Sequence, residues 1–259
     1  MQIEPKSVEI VLPVRNEEVV LESSVRRLHE FLETTVMDSW LITIADNGST
    51  DRTLEIAHRL EAELTGVRVF HVPEAGRGRA LTLTWLESKA GRLAYMDIDL
   101  STDLEAFPAL LDALDAGADI VAGTRLGPGA LTTRSLKRET LSRCFVLLTN
   151  AIFHTSLRDT QCGFKAMTRA SALKLLPLVK DTGWFWDTEL LLLATKGGWN
   201  VSFVAVRWVE DPDSRVDIVS TVWRDLKGLV RMRFFDWLQA TKIVRLTRPG
   251  NTQSPALLP

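Results

Sequence analysis

The sequence predicts an α/β protein with a mostly parallel sheet flanked by helices, followed by a C-terminal amphipathic helical extension. Two observations carry this prediction. Short apolar runs alternate with segments of helical periodicity through the first half of the chain, as in successive β–α–β units. Polar clusters follow the ends of these runs, at the edge where open α/β sheets bind ligands. With 259 residues, 46% of them hydrophobic, the chain is long enough for one such domain and an appendage.

Each element of the first half follows from its local pattern. Apolar runs of strand length occur five times, and the stretches between them show the three-to-four spacing of buried helix faces. The predicted strands are Val8–Pro13, Trp40–Ala45, Val67–Val72, Leu93–Met96 and Asp119–Gly123. The predicted helices are Glu17–Val36, one that begins near Thr50, Gly78–Ala90 and Asp103–Ala116.

The second half is less regular. Two glycines and a proline in Leu126–Arg134 predict a mobile loop over the ligand crevice. A helix is predicted over Leu136–Phe153, and the alternation of Asn200–Val209 predicts a strand. We therefore divide the chain into a domain of residues 1–218, a helical extension of residues 219–248 and a flexible tail of residues 249–259.

The extension is both amphipathic and basic. Its apolar positions recur at helical spacing, at Val222, Leu226, Leu229, Val230, Phe234, Trp237 and Leu238. Basic residues surround them, against only Asp225 and Asp236, and these are Arg224, Lys227, Arg231, Arg233, Lys242, Arg245 and Arg248. Such a helix suits a membrane interface, with Trp223 or Trp237 near the acyl boundary. The alternative is a helix that packs on the domain or on a partner subunit.

Composition excludes several classes of protein. The formal net charge of −2 provides no basic field for nucleic acid. Two cysteines, Cys144 and Cys162, in no metal or redox spacing fit a reducing compartment. The N-terminus has no signal-peptide pattern, and the apolar runs are too short to span a membrane. We expect a cytoplasmic protein that associates peripherally with the membrane.

The segment Asp97-Ile98-Asp99 places two carboxylates just beyond a predicted buried strand. Neighbouring carboxylates are costly to leave unpaired, so a cation is their natural partner. An all-oxygen site suits Mg²⁺ or Mn²⁺, which also bind diphosphates. An acidic turn that caps the next helix is the alternative.

Three further loops carry polar groups at strand ends. Asn16 and Glu17 follow Pro13 after the first strand, where they could also cap a helix. Asp46 ends the second strand, before the turn residue Gly48, and could accept hydrogen bonds from a base edge. Arg77 and Gly78 open the helix after strand three, where exposed N–H groups and a guanidinium form an anion site or a simple basic cap.

Together these loops resemble the nucleotide-sugar-binding half of the family-two inverting glycosyltransferases with a GT-A fold, a Rossmann-like fold of nucleotide-diphospho-sugar transferases. Asn47 and Arg77 stand where that family commonly has aspartate and lysine. The resemblance implies that residues 1–218 form a GT-A catalytic domain. It also implies that Asp99 is the main metal ligand, with Asp97 near the ribose and metal. The nucleotide-sugar site would then comprise Pro13, Asn16, Glu17, Asp46, Gly48, Arg77, Gly78 and Asp97.

The second half resembles the polyprenyl-phosphate sugar synthases, especially the dolichyl-phosphate glucosyltransferases and mannosyltransferases. The segment that carries this is Asp159-Thr160-Gln161-Cys162-Gly163-Phe164-Lys165. Two further segments are similar to theirs, Phe185–Leu191 and Trp208 followed by Asp213–Val216, although Asp213 and Arg215 depart from the pattern. The resemblance implies that Ser214 and Arg215 contact the donor and that Asp159 and Gln161 lie at the acceptor phosphate.

The chemistry of the acceptor decides which groups are needed. A phosphate acceptor would be held by guanidinium groups, and Arg125, Arg138 and Arg143 are the candidates, although the last two could belong to a solvated helix face. A lipid monophosphate is largely ionised at neutral pH and needs no general base. A hydroxyl acceptor would need one, and Asp187 or Glu189 would be the choice. Asp187 could instead position hydroxyl groups.

We therefore predict a metal-dependent, inverting glycosyltransferase. It moves a hexose, glucose or mannose, from a UDP- or GDP-sugar to polyprenyl phosphate with Mg²⁺ or Mn²⁺, and it has no nucleic-acid partner. Asp97, Asp99, Arg125 and Asp187 would carry the reaction. The alternatives are a hydroxyl acceptor in polysaccharide or natural-product assembly, a nucleotidyltransferase and a non-catalytic binding module. A homo-oligomer stays open.

Overall fold

The computed structural model describes residues 4–133, 135–209 and 218–236. Its larger sheet has seven strands, and a second sheet has two. The strands are β1 Glu4–Val14, β2 Trp40–Asn47, β3 Val67–Val72, β4 Ala90–Met96, β5 Ile120–Thr124, β6 Leu131–Thr133, β7 Phe164–Thr168, β8 Val201–Ala205 and β9 Arg207–Val209.

The helices lie on both faces of the larger sheet. They are α1 Leu21–Thr35, α2 Thr53–Glu63, α3 Arg77–Glu87, α4 Phe107–Asp115, α5 Leu136–Phe153, α6 Arg169–Leu175, α7 Trp186–Gly197 and α8 Ile218–Arg231. Single 3₁₀ turns cover Leu104–Ala106 and Leu176–Leu178, and a π-helical turn, Met232–Asp236, follows α8.

The order of the larger sheet is β3-β2-β1-β4-β7-β5-β8. All neighbouring strands are parallel except β7, which is antiparallel to both β4 and β5. Because β1 to β4 run in the same direction, the loops that follow β1, β2 and β4 meet at one edge of the sheet. The strand order reverses at β1 and β4, which makes the crevice between these loops the expected ligand site.

Two hydrophobic layers sandwich the sheet. Alternate residues of β1 point to opposite faces, so that Ile10 belongs to one layer and Val11 to the other. Helices α1, α2 and α4 cover the first layer, and α3, α6, α7 and α8 cover the second. This arrangement confirms the predicted mostly parallel α/β sheet.

Two predicted elements differ from the structure. The strand predicted over Asn200–Val209 is two strands in different sheets, because the chain turns at the buried Val206, whose N–H bonds to Thr124 O at 3.1 Å. The loop predicted over Leu126–Arg134 contains β6, which pairs with β9. Local alternation could not show these non-local pairings.

Some helix ends in the structure also differ from the predicted ones. The predicted helix from Glu17 begins at Leu21, because residues 18–20 form a turn in which Val20 N–H donates to Glu17 O at 3.2 Å. Ala90, predicted to end a helix, begins β4 instead. Of the predicted extension 219–248, residues 237–248 lie outside the described part of the chain, as do Trp237, Leu238, Lys242, Arg245, Arg248 and the tail 249–259. Within the described residues, no helix has the length and apolarity needed to cross a bilayer.

Candidate active site

The loops after β1 and β2 are braced against each other. Asn16 N–H donates to Ser49 Oγ at 3.0 Å, and Asn16 Oδ1 accepts from Thr50 N–H at 2.8 Å. Glu17 N–H donates to Thr53 Oγ1 at 2.7 Å. Asn16 and Glu17 therefore fix the shape of the crevice wall through loop-to-loop contacts rather than by capping α1.

Asp46 lies at the end of β2 and is fully buried. Its Oδ2 lies 2.8 Å from His71 Nδ1 on β3, whereas its Oδ1 has no hydrogen-bond partner. A buried carboxylate oxygen without a donor is costly, and a bound ligand with an N–H group would satisfy it. Asp46 thus retains an acceptor for a base edge.

The neighbouring Asn47 accounts for one departure from the family pattern. Its amide Nδ2 donates to Val14 O at 2.7 Å, and its Oδ1 accepts from Gly76 N–H at 3.2 Å. An ionised aspartate could not make the first bond, because it has no donor. Gly48 follows with φ of +79°, and a β carbon there would lie 2.8 Å from Pro73 O. The turn therefore requires glycine.

Arg77, at the first position of α3, connects two carboxylates of the site. Its Nη1 donates to Asp187 Oδ2 at 2.6 Å and its Nη2 to Asp97 Oδ1 at 2.8 Å. The guanidinium carbon lies 4.8 Å from the ring centroid of Tyr95 and 5.0 Å from that of Trp184. Its Nε is buried without a partner.

Gly78 explains how α3 and α7 approach closely enough for this contact. A β carbon at Gly78 would lie 2.6 Å from Trp186 Cβ on α7. Glycine therefore lets the first turns of the two helices pack together, which brings Arg77 to Asp187. In this structure Gly78 therefore serves the packing of α3 against α7.

Asp187 lies in the first turn of α7 and is almost fully buried. Its Oδ1 accepts from the hydroxyl of Tyr95 and lies 2.8 Å from Lys165 Nζ, while its Oδ2 accepts from Arg77. Burial alone would raise the pKa of Asp187, but the charges of Lys165 and Arg77 and these hydrogen bonds hold its pKa below the usual range. Asp187 is thus a poor proton acceptor.

Glu189, two residues further along α7, is equally engaged. Arg231 of α8 donates to both of its oxygens, at 3.1 and 2.6 Å, and Asp181 N–H donates to Oε2 at 2.8 Å. Only 1% of the residue is exposed. Asp187 and Glu189, the two candidates for a general base, are therefore both in ion pairs with arginine side chains.

Asp97 and Asp99 follow β4 and face the crevice. The Asp97 side chain is 41% exposed, and its backbone N–H donates to Gly163 O at 3.0 Å. Asp99 is exposed, and its Oδ1 accepts from Ser101 N–H at 3.0 Å. A β carbon at Gly163 would lie 1.6 Å from Asp97 Oδ2, so the Asp97 carboxylate can occupy this position only because residue 163 is glycine.

The donor chemistry of this pair suits a divalent cation. Among residues 4–133, 135–209 and 218–236, no group of three or more His, Cys, Asp or Glu side chains could hold a metal ion. Two carboxylates completed by substrate phosphates and water are nevertheless a common arrangement for Mg²⁺. The pair fits an ion that arrives with a diphosphate rather than a cage made by protein alone.

Arg125, at the end of β5, forms a buried two-point ion pair with Asp159. Its Nε and Nη2 donate to the two carboxylate oxygens at 2.8 and 3.0 Å, and its backbone N–H adds a third bond. The guanidinium carbon also lies 5.5 Å from the ring centroid of Trp208 on β9. Thr102 forms an isolated antiparallel β-bridge with Trp208. Trp208 therefore links Arg125 to the loop that carries Asp97 and Asp99.

Of the other residues assigned to the acceptor, Gln161 lies beside this pair, since its backbone N–H donates to Asp159 Oδ1 at 3.1 Å. Arg138 and Arg143 belong to α5, and Arg143 Nε donates to Glu139 one turn away. Gln161 Nε2 donates to Asp225 on α8. Pro13 is buried at the end of β1, opposite Ala45. Ser214 and Arg215 lie outside the described residues.

Sequence reasoning gave no role to Tyr95, Trp184 and Lys165. A lysine in the short strand β7 was a signal, because lysine is rarely fully buried without a partner and Lys165 is only 1% exposed. A tyrosine within the apolar run before Asp97 was another, since a buried hydroxyl needs a hydrogen-bond partner.

Comparison of whole structures defines the class of fold. Glucosyl-3-phosphoglycerate synthase from Mycobacterium tuberculosis, solved with Mn²⁺, UDP and glucosyl-3-phosphoglycerate, aligns with a TM-score of 0.64 and 20% sequence identity. The alignment covers 88% of this chain and 80% of that one. The architecture is therefore the nucleotide-sugar transferase fold that the resemblance implied.

Sequence comparison then identifies the family. Residues 9–176 match the profile of Glycosyl transferase family 2, and the chain belongs to that family and is a glycosyltransferase. Glycosyltransferase AglD of Haloferax volcanii is 36% identical over 93% of this chain, which spans 38% of the AglD length. The dolichyl-phosphate beta-glucosyltransferase of Drosophila melanogaster is 32% identical over 80% of this chain and 68% of its own. The human enzyme of that name is 26% identical over 92% of this chain and 73% of its own.

Proposed function

We propose that this protein transfers a hexose from a nucleoside-diphosphate sugar to a polyprenyl phosphate, with inversion at the anomeric carbon. The observation that carries the proposal is the state of Asp187 and Glu189. Both are buried and bound by cationic side chains, at 2.6 Å from Arg77 and 2.6 Å from Arg231 respectively. A hydroxyl acceptor needs a base to take its proton, whereas an ionised phosphate does not. A phosphate acceptor matches a site whose candidate bases are occupied.

In this reaction an oxygen of the acceptor phosphate attacks the anomeric carbon while the bond from that carbon to the donor diphosphate breaks. The nucleoside diphosphate leaves with the bonding electrons, so negative charge grows on its terminal phosphate. Arg77 binds Asp97 beside the crevice, and its guanidinium charge would stabilise the leaving diphosphate. The acceptor phosphate would lie near Arg125, with Arg138 and Arg143 as further cations.

Asp97 and Asp99 would hold Mg²⁺ or Mn²⁺. Such an ion supplies Lewis-acid stabilisation to the leaving diphosphate when it is bound. The mycobacterial structures with Mn²⁺ and UDP-glucose support this assignment as well as a uridine donor. Glucose is the favoured sugar because several relatives are named dolichyl-phosphate beta-glucosyltransferases, while GDP-mannose remains the second donor to test.

A lipid acceptor requires a surface that meets the membrane, and we propose that α8 and the π-helical turn after it form this surface. Trp223 and Val230 lie on one side of α8 and are 62 and 52% exposed, and Phe234 in the turn is 74% exposed. Basic residues flank them, namely Arg224, Lys227 and Arg233. An exposed apolar stripe within a basic helix fits the headgroup region of an anionic membrane. We propose that the protein works there, at the cytoplasmic face.

The test is a transfer assay with full-length protein. Radiolabelled UDP-glucose and GDP-mannose are each incubated with a short polyprenyl phosphate and Mg²⁺ or Mn²⁺, and label in the lipid extract is measured. We expect labelled lipid with one donor, and we expect its loss in excess chelator and in Asp99→Ala. Exposed Asp112 on α4 provides the matched control, Asp112→Ala, which should retain activity. Absence of labelled lipid with both donors would overturn the proposal.

A further inference from the structure

We infer that Lys165 and Tyr95 are positioning residues for the proposed transfer. They hold Asp187, which holds Arg77, and Arg77 in turn fixes the position of the Asp97 side chain. The inference rests on the proposed function and extends it to two residues that never face the crevice. Lys165 and Tyr95 are register partners on the adjacent antiparallel strands β7 and β4. Both are fully buried, with 1 and 0% of each residue exposed.

The contacts form a continuous chain from the interior to the crevice. Lys165 Nζ lies 2.8 Å from Asp187 Oδ1, 3.2 Å from the Tyr95 hydroxyl and 2.6 Å from Cys162 O. The Tyr95 hydroxyl donates to the same Asp187 oxygen. The other Asp187 oxygen binds Arg77 Nη1, and Arg77 Nη2 binds Asp97 at 2.8 Å. Only Asp97, at the end of the chain, has a substantially exposed side chain, at 41%.

Charge balance explains why the lysine matters. Lys165 and Arg77 are two cations that face two carboxylates, the buried Asp187 and the 41% exposed Asp97. Without Lys165, Asp187 would lose one of its two cationic partners, and Arg77 alone would face both carboxylates. Asp187 would then take up a proton more readily, and Arg77 would lose the ionised partner that fixes one end of its guanidinium.

The consequence falls mainly on the diphosphate part of the donor. In the proposed site Arg77 contacts the diphosphate, and Asp97 helps to hold the metal ion and lies near the ribose. The group proposed for the base rests on another contact, since Asp46 is held by His71 on β3. Loss of Lys165 should therefore weaken binding of a nucleoside diphosphate far more than binding of the nucleoside. A lysine that merely stabilised the fold would affect both ligands alike.

The experiment is calorimetric titration of UDP, uridine, GDP and guanosine, with Mn²⁺ present. It compares the wild-type protein with Lys165→Met, Tyr95→Phe, Arg77→Met and the double variant Lys165→Met/Arg77→Met. Exposed Lys174→Met on α6 is the matched control. We expect Lys165→Met to weaken the bound nucleoside diphosphate at least tenfold and its nucleoside less than twofold. Tyr95→Phe should show the same selectivity with a smaller loss, and the double variant should bind no more weakly than Arg77→Met.

Three results would overturn the inference. These are equal losses for the diphosphate and the nucleoside, additive losses in the double variant, or wild-type affinity in both Lys165→Met and Tyr95→Phe. If Lys165→Met does not fold, Tyr95→Phe decides the matter, because it removes one hydroxyl and keeps the ring beside Arg77. A wild-type protein that binds neither nucleoside diphosphate would instead contradict the proposed function, and the inference would fall with it.

Discussion

Gly163 shows how a single residue of one motif creates the site of another. It precedes β7, yet the space that its β carbon would fill is occupied by the carboxylate of Asp97, after β4. The two motifs lie far apart in sequence and meet because β4 and β7 pair, with Met96 opposite Phe164. Sequence reasoning singled out both motifs, but not this dependence, because it arises only from the pairing of the strands.

We predict that Gly163→Ala displaces the Asp97 side chain, since the added methyl group would lie 1.6 Å from Oδ2. Transfer activity should fall at least tenfold, and the concentration of Mn²⁺ needed for half-maximal activity should rise. The measurement is a metal titration of initial rates, with thermal melting to show that the variant is folded. Unchanged rates and metal requirement would mean that Asp97 moves aside without consequence.

Asp225 is a buried carboxyl group on α8 whose pKa is raised above its ordinary value. Burial raises its pKa to about 7, with the charges of Asp181 and Asp187 adding to the effect and the hydrogen bond from Gln161 opposing it. The folded protein therefore holds a proton that the unfolded chain has already released. Between the ordinary value of 3.8 and about pH 7, stability falls as pH rises, and the cost is complete above that range.

We predict that Asp225→Asn is more stable than the wild-type protein at pH 8, because asparagine is never charged and keeps an oxygen for Gln161. The advantage should shrink toward pH 5, where Asp225 is protonated in the folded state. Melting temperatures of both proteins across this range provide the measurement. A variant that is less stable than the wild-type protein at pH 8 would show that the charged form of Asp225 is the stabilising one.

Among the elements, those of the first half were predicted better than those of the second. Strands β1 to β5 and helix α5 follow from local apolar periodicity, and β3 and α5 have the predicted bounds. Strands β6 and β9 have three residues each and exist through their pairing, and β7 lies antiparallel within an otherwise parallel sheet. Short segments whose structure depends on distant partners carry little local signal.

Helix α8 packs on the domain, which was one of the two alternatives from the sequence, and contact of its exposed side with a membrane stays a prediction. One side packs on the domain, where Leu229 and Met232 are buried, and Gly228 fits against the ring of Phe185. The other side leaves Trp223, Val230 and Phe234 exposed. A helix fixed on one side and apolar on the other can orient the crevice relative to a membrane.

We predict that the protein sediments with anionic vesicles at low salt and is released as salt increases. Salt screens the attraction between the basic side chains of α8 and the anionic lipid headgroups. Trp223→Ser together with Phe234→Ser should reduce the bound fraction several-fold. Met37→Ser is the matched control, since Met37 is 98% exposed and follows α1, which covers the opposite face of the sheet from α8. Binding that is unaffected by the α8 variants, or equally affected by Met37→Ser, would assign this surface another role.

At the scale of the whole molecule, the sheet gathers loops that are far apart in sequence into one crevice. The sequence was sufficient to place Asp46, Arg77, Asp97 and Asp99 at strand ends, because parallel strands bring their carboxyl ends to one edge. It could not show that Asp187 and Glu189 are already held by Arg77 and Arg231, because those contacts depend on how α7 packs against α3 and α8. That packing is what favours an ionised acceptor.

The most direct test of this account compares two acceptors that differ only in the phosphate. Initial rates of sugar transfer are measured with a short polyprenyl phosphate and with the polyprenol of the same chain length, each in the same detergent. We predict transfer to the phosphate alone, with a rate that rises with pH through the second phosphate pKa of about 6. Transfer to the alcohol at a comparable or higher rate would contradict the account, because it would require a free base where the structure holds Asp187 and Glu189 in ion pairs.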